Sequence, residues 1–151
     1  MNVGGVLLLV EENKVYRSTL NPEPQLIGEA IAAFQYNNQK RESRNPQKPG
    51  LTRYVFPCGA MAGSHTRFYK IPGHKHWIWL SSNGRQLTHT TVVECLDPLR
   101  GDPLYAHGMT NLQNFEKTLE SFKLLRNMRI QHAIELWKNQ SFKIAINFKK
   151  E

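Results

Sequence analysis

Six histidines are spread along the 151 residues, and three of them, His74, His76 and His89, fall where one β-hairpin would gather them. The hairpin is signalled by Asn83-Gly84, because both central residues of a type I′ turn need positive φ. A two-residue loop there sets Ser82 opposite Arg85, Ile78 opposite His89 and His76 opposite Thr91. His74, His76 and His89 then share one face, with His76 and His89 diagonal neighbours roughly 7 Å apart at Cβ. Three chemistries fit such a face. The imidazoles could ligate one divalent metal ion, the cofactor these residues suggest. One could serve as general base or acid toward a phosphodiester, with a cation stabilising the developing charge. Alternation sends Lys75 to the opposite face, so that cation would be Arg67 or Lys70. In the third reading the histidines are polar side chains at the open end of a sheet, bonded to backbone or to Thr91.

Other catalytic arrangements find little material. Aspartate occurs only at Asp97 and Asp102, each before a proline, where turn-forming aspartates belong. Glu116 and Glu120 fall early in a helix, at its positive end. No Gly-rich phosphate loop, GxSxG elbow or HExxH run is present. Cys58 and Cys95 form no CxxC pair, so they read as two buried thiols in a reducing cytoplasm.

Charge is the broader signal. Twenty Lys and Arg stand against twelve Asp and Glu, a net +8 with a pI of about 9.7. Lys40, Arg41, Arg44 and Lys48 crowd one segment, and Arg53, Arg67, Lys70 and Lys75 follow on the sheet or its edges. Tyr54, Tyr69, Trp77 and Trp79 are interleaved with them. Cations fix phosphates and flat rings stack on unpaired bases, so the composition points to a nucleic-acid-binding protein, of DNA or RNA. A nuclease acting through the histidine face is the catalytic extension. The competing expectation is a non-catalytic interaction protein whose basic face takes an acidic protein partner. Apolar runs reach only five residues, as in Val6 to Val10, too short for a membrane span. Met1 to Val10 lacks the basic start and small-residue cleavage site of a signal peptide.

Positioning these residues requires a single domain over residues 1–151. Val3 to Glu11 reads as a strand, returning through Val15-Tyr16-Arg17. Asn21 to Pro24 starts a helix whose apolar stripe is Leu26, Ile27, Ala30, Ile31 and Phe34, fading at Asn37-Asn38. Residues 39–50 read as an exposed basic loop. Tyr54 to Phe56 is a short strand ended by Pro57, and a Gly/Ala-rich loop reaches Ser64. A strand over Thr66 to Ile71 turns at Pro72-Gly73, before strands over His74 to Leu80 and Arg85 to Leu96. After a loop, Thr110 caps a long helix with Gln113 reaching back. Its stripe runs Leu112, Phe115, Leu119, Phe122, Leu125, Met128, His132 and Leu136, with Asn127 the point at which it would break. Phe142 to Phe148 alternates as a half-buried closing strand with a basic outer face. The expected class is α+β, a mostly antiparallel sheet of about five to seven strands with two helices on one face, the C-terminal helix long.

Overall fold

The computed structural model describes residues 9–13, 23–47, 49–75, 91–127 and 131–146. Strands β2 (Arg53–Ala62), β3 (His65–His74), β4 (Thr91–Leu96) and β5 (Phe142–Ile146) form a four-stranded antiparallel sheet in chain order. Strand β1 (Leu9–Asn13) lies parallel to β2 at its edge, with Leu9 opposite Cys58. The helices are α1 (Glu23–Arg44), 3-10 turns over Tyr105–Thr110, α2 (Leu112–Arg126) and α3 (Gln131–Gln140). Among the described residues no helix is long and apolar enough to cross a membrane.

Among the described residues, the four antiparallel strands and the additional helices correct the expected mostly antiparallel sheet of about five to seven strands with two helices. The prolines are the first reason. Pro57 does not end a strand, and Pro72-Gly73 is not a turn. Pro57 sits within β2 opposite Lys70, and Pro72 within β3 opposite Val55, so the short strands become two strands of ten residues. Pro72 lies just past the end of the β3–β4 ladder, beyond the Lys70–Glu94 pair. There a missing N–H costs no described bond. The Gly/Ala-rich segment after Pro57 is likewise strand, as far as Ala62.

The ladder between β3 and β4 also differs from the expected register. Lys70 pairs with Glu94 and Tyr69 with Cys95, whereas the two-residue hairpin would have set Glu94 opposite Gly73. The expected hairpin itself, residues 76–90 with Asn83-Gly84, lies outside the described residues, as does the Val15 to Arg17 return.

Helices cover both faces of the sheet, not one. Leu26, Ile27, Ala30 and Phe34 of α1 pack on Phe56, Cys58, Tyr69, Ile71, Val93 and Cys95. On the opposite face Phe68 and Leu96 meet Leu125 of α2 and Trp137 of α3. Both faces of β3 carry rings, Phe68 on one and Tyr69 on the other, so each face needs a cover. Burying each large side chain contributes about 1.5–3 kcal/mol.

The expected long C-terminal helix is two helices. Asn127 ends α2, its N–H donating to the carbonyls of Lys123 and Leu124. Asn111, not Thr110, caps the start, accepting from the N–H groups of Gln113 and Asn114. The helix is also turned about a quarter of a turn from the expected orientation, at 3.6 residues per turn. Asn114, Thr118, Ser121 and Leu125 face inward, while Leu112, Phe115 and Leu119 are 70%, 47% and 42% exposed. The cause is polar. Asn114 is fully buried and donates 2.9 Å bonds to the carbonyls of Leu104 and Gly108, fixing α2 to the 3-10 turns. Thr118 and Ser121 satisfy their hydroxyls on carbonyls within the helix, 2.9 Å and 3.0 Å away, so they can be buried beside it.

Gly108 holds this junction against the β2–β3 turn. Its φ is +51°, and a Cβ there would meet the Ser64 side chain and stand 2.7 Å from the Ser64 carbonyl oxygen. That oxygen accepts from the Met109 N–H at 2.8 Å. Gly108→Ala should therefore lower stability by about 2 kcal/mol or more, read as a shifted urea midpoint. Adding Ser64→Ala should not restore it, because the backbone oxygen remains. Full rescue would refute this packing.

Cys58 and Cys95 flank Tyr69 across three strands, both free and buried. Burial pushes each thiol up to about 12, with Glu29 adding to the effect at Cys58. The unfolded chain releases both protons near pH 9, whereas the native state keeps them until about pH 12. Stability should thus fall as pH rises from 9 toward 12. Native protein at pH 8 should leave a thiol reagent unreacted, and urea should release two thiols. Fast modification of the folded protein would contradict the burial.

Candidate functional site

Half of the basic segment 39–50, expected as a loop, is helix. Residues 39–44 continue α1, because Asn38 is not a stop but a clamp. Its side-chain amide donates to the Leu51 carbonyl at 3.1 Å, and its carbonyl oxygen accepts the Leu51 N–H at 2.7 Å. The following Gln39, Lys40, Arg41 and Glu42 are good helix formers, and cations suit a helix C-terminus. Beyond Asn38 every residue of α1 is exposed, including Arg41 on the core-facing stripe. The helix therefore overruns the sheet. Arg41 Nε donates to the Pro49 carbonyl at 3.2 Å, turning the chain back toward β2.

The same clamp brings the start of β2 and the end of β3 to this end of the molecule. Arg53 lies opposite His74, and the Lys75 N–H donates to the Thr52 carbonyl at 3.0 Å. Lys40, Arg41, Arg44, Arg53 and Lys75 are all exposed there, with His74 half-buried beside them. Residues 36–53 carry five cations and one acid, Glu42. Lys48, the fifth of those cations, lies outside the described residues.

Arg67 and Lys70 belong elsewhere. Arg67 Nε pairs with Asp97 Oδ2 at 3.2 Å near the far end of β3. Lys70 Nζ lies 3.6 Å from Glu94 Oε2 and 4.7 Å from the centroid of the Trp137 ring, whose Nε1 donates to the same carboxylate oxygen at 2.9 Å. Burial lowers the pKa of Lys70, Glu94 opposing and Lys138 assisting. Both cations thus serve contacts inside the fold.

Of the histidine face, only His74 can be placed. His76 and His89 lie outside the described residues, and so do Trp77 and Trp79. Among the described residues no group of three metal-ligating side chains comes together. His65 is at the opposite end of β3 from His74, its Nε2 2.7 Å from the Tyr105 carbonyl oxygen.

Two hollows flank the Asp97–Gly101 turn. One of about 800 Å³ lies between that turn, α2 and α3, and one of about 420 Å³ lies over Arg67, Tyr105 and Phe142. Arg100 borders both and stacks 4.1 Å from the Phe142 ring centroid. Their charges are mixed: Asp97 and Glu120 face Arg100, Lys117 and Lys123. Lys117 is ion-paired with Asp102, whose carboxyl is held below its ordinary range by that ammonium and by the Leu104 N–H. Neither hollow is a cradle of one sign.

The aromatic candidates sort by exposure. Tyr69 is fully buried, its hydroxyl donating to Glu23 at 3.1 Å, and the Tyr54 ring packs 4.8 Å from that of Phe56. Sequence reasoning passed over Tyr36, which is 52% exposed and has Lys40 Nζ 5.5 Å from its ring centroid. Its signal was the four-residue step Tyr36, Lys40, Arg44, visible only if α1 runs through Arg44.

Comparison with protein families, curated proteins and solved structures returns no match for the chain.

Proposed function

We propose that this chain is a nucleic-acid-binding protein that contacts phosphates through the overrunning end of α1 and the adjoining strand ends. The observation that carries this reading is the exposed group Lys40, Arg41, Arg44, Arg53 and Lys75, in a chain of net charge +8. Lys40 and Arg44 are one helical turn apart, about 6 Å along the axis, close enough to act on neighbouring phosphates. Arg67 and Lys70, engaged in ion pairs, take no part. Two free, buried thiols suit a reducing, cytoplasmic setting. Cleavage is an extension of the same reading, since His74 borders the group and would meet any bound phosphodiester first.

The test is binding of labelled single- and double-stranded DNA and RNA between about 50 and 200 mM salt, with and without chelator. The Lys40→Ala, Arg41→Ala, Arg44→Ala triple variant should stay folded and reduce the salt slope by about 2 to 2.7, three phosphate contacts' worth. An unchanged slope would remove this end of α1 as the contact surface. Chelator-sensitive cleavage would favour a metal, and chelator-resistant cleavage lost in His74→Ala an acid/base role. Failure of all four nucleic acids to bind would leave an acidic protein as the partner of the basic end.

A further inference from the structure

We infer that the preferred ligand is single-stranded nucleic acid, with Tyr36 the platform on which an unpaired base stacks. This rests on the proposed nucleic-acid reading and narrows it. Tyr36, Lys40 and Arg44 form one row along α1 at four-residue steps, so the ring and two cations are successive neighbours on one strip of helix. The ring stands 52% exposed at the basic end, and the Lys40 ammonium 5.5 Å from its centroid is within cation–π range. A tyrosine in a hydrophobic role would be turned into the core, as Tyr69 is in the same protein. Tyr36 instead extends a ring into solvent beside the cations of Lys40 and Arg44, the combination that single-strand sites use.

Geometry argues against a duplex. Reading a major groove takes a helix whose exposed length can enter it. Most of α1 is committed to the sheet through Leu26, Ile27, Ala30 and Phe34, and only the turns after Asn38 project. A flexible single strand can follow so short a strip and swing one base onto the ring. The shared chemistry, a π-face beside a phosphate, is the same in DNA and RNA.

The experiment uses the whole chain with short single-stranded DNA and RNA oligonucleotides carrying 2-aminopurine, and with the corresponding duplex. Single strands should bind more tightly than the duplex, and the 2-aminopurine emission should change on binding. Tyr36→Ala should weaken single-strand binding by about fivefold to a hundredfold and abolish the emission change. Tyr36→Phe should retain both, because the ring and not the hydroxyl does the stacking. Comparing the DNA and RNA arms identifies which strand is preferred. Equal affinity for duplex, or single-strand binding unchanged in Tyr36→Ala, would overturn this inference while leaving the nucleic-acid reading intact. Absence of binding to every probe would overturn the broader reading and this one with it. Circular dichroism of both variants checks that α1 persists, as expected for a half-exposed side chain on a helix already held by its core face.

Discussion

One side chain decides how the basic end is built. Asn38 offers a donor and an acceptor to the backbone of a single residue, Leu51, and so copies the pairing of a β-ladder from the side of a helix. Each bond contributes about 1 kcal/mol, and leaving the Leu51 groups unpaired would cost about 1–3 kcal/mol. The consequence is geometric. The clamp fixes where β2 begins relative to α1, and β2 fixes β3 through the Arg53–His74 register. The cations on the far side of Asn38 and those on the strand ends are therefore neighbours because of one amide.

The other end of the molecule uses its charges for assembly. Glu94 accepts from Trp137 and attracts Lys70, which binds α3 to the sheet through a half-dry cluster. Arg67 and Asp97 form a second pair, and Asp97 also accepts the Leu99 N–H to shape its turn. A cation lowered by burial and set beside a carboxylate and an indole is poorly placed to reach a phosphate. Sheet cations that look alike in sequence thus differ in setting, Arg67 and Lys70 ion-paired and Arg53 and Lys75 exposed.

Much of this was legible in the residues, and the failures have physical causes. The core stripe of α1, the alternation of Phe142 and Ile144 with Lys143 and Ala145, and the turns closed by Asp97 and Asp102 onto the Leu99 and Leu104 amides follow from local pattern. Pro72 misled because a strand tolerates proline where its neighbour's ladder has stopped, and sequence does not show where that is. Asn37-Asn38 misled because an asparagine that is a poor helix former in isolation is favoured when a distant backbone completes its bonds. On α2 the apolar periodicity is real, but only its later part, Phe122 and Leu125, turns in, while Leu112, Phe115 and Leu119 face outward. Periodicity identifies a stripe; the hydrogen bonds of Asn114 decide which stripe turns in. Tyr36 was missed for the same reason as the basic loop was misassigned, since its row exists only in a helix extending past Asn38.

Net charge alone would have said little about where a polyanion binds. Exposed charges act together only within about a Debye length, some 8–10 Å at physiological ionic strength. Of the net +8, the described residues carry only +2, so the total by itself locates no cluster. Instead Lys40 and Arg44 stand one helical turn apart, Arg53 faces His74 across two strands, and Arg67, Lys70 and Lys117 are offset by carboxylates at their own end. Among the described residues the exposed Lys40, Arg41, Arg44, Arg53 and Lys75 share their segments with a single acid, Glu42. Tyr36 stands at the start of that row of cations on α1, with Lys40 Nζ 5.5 Å from its ring centroid.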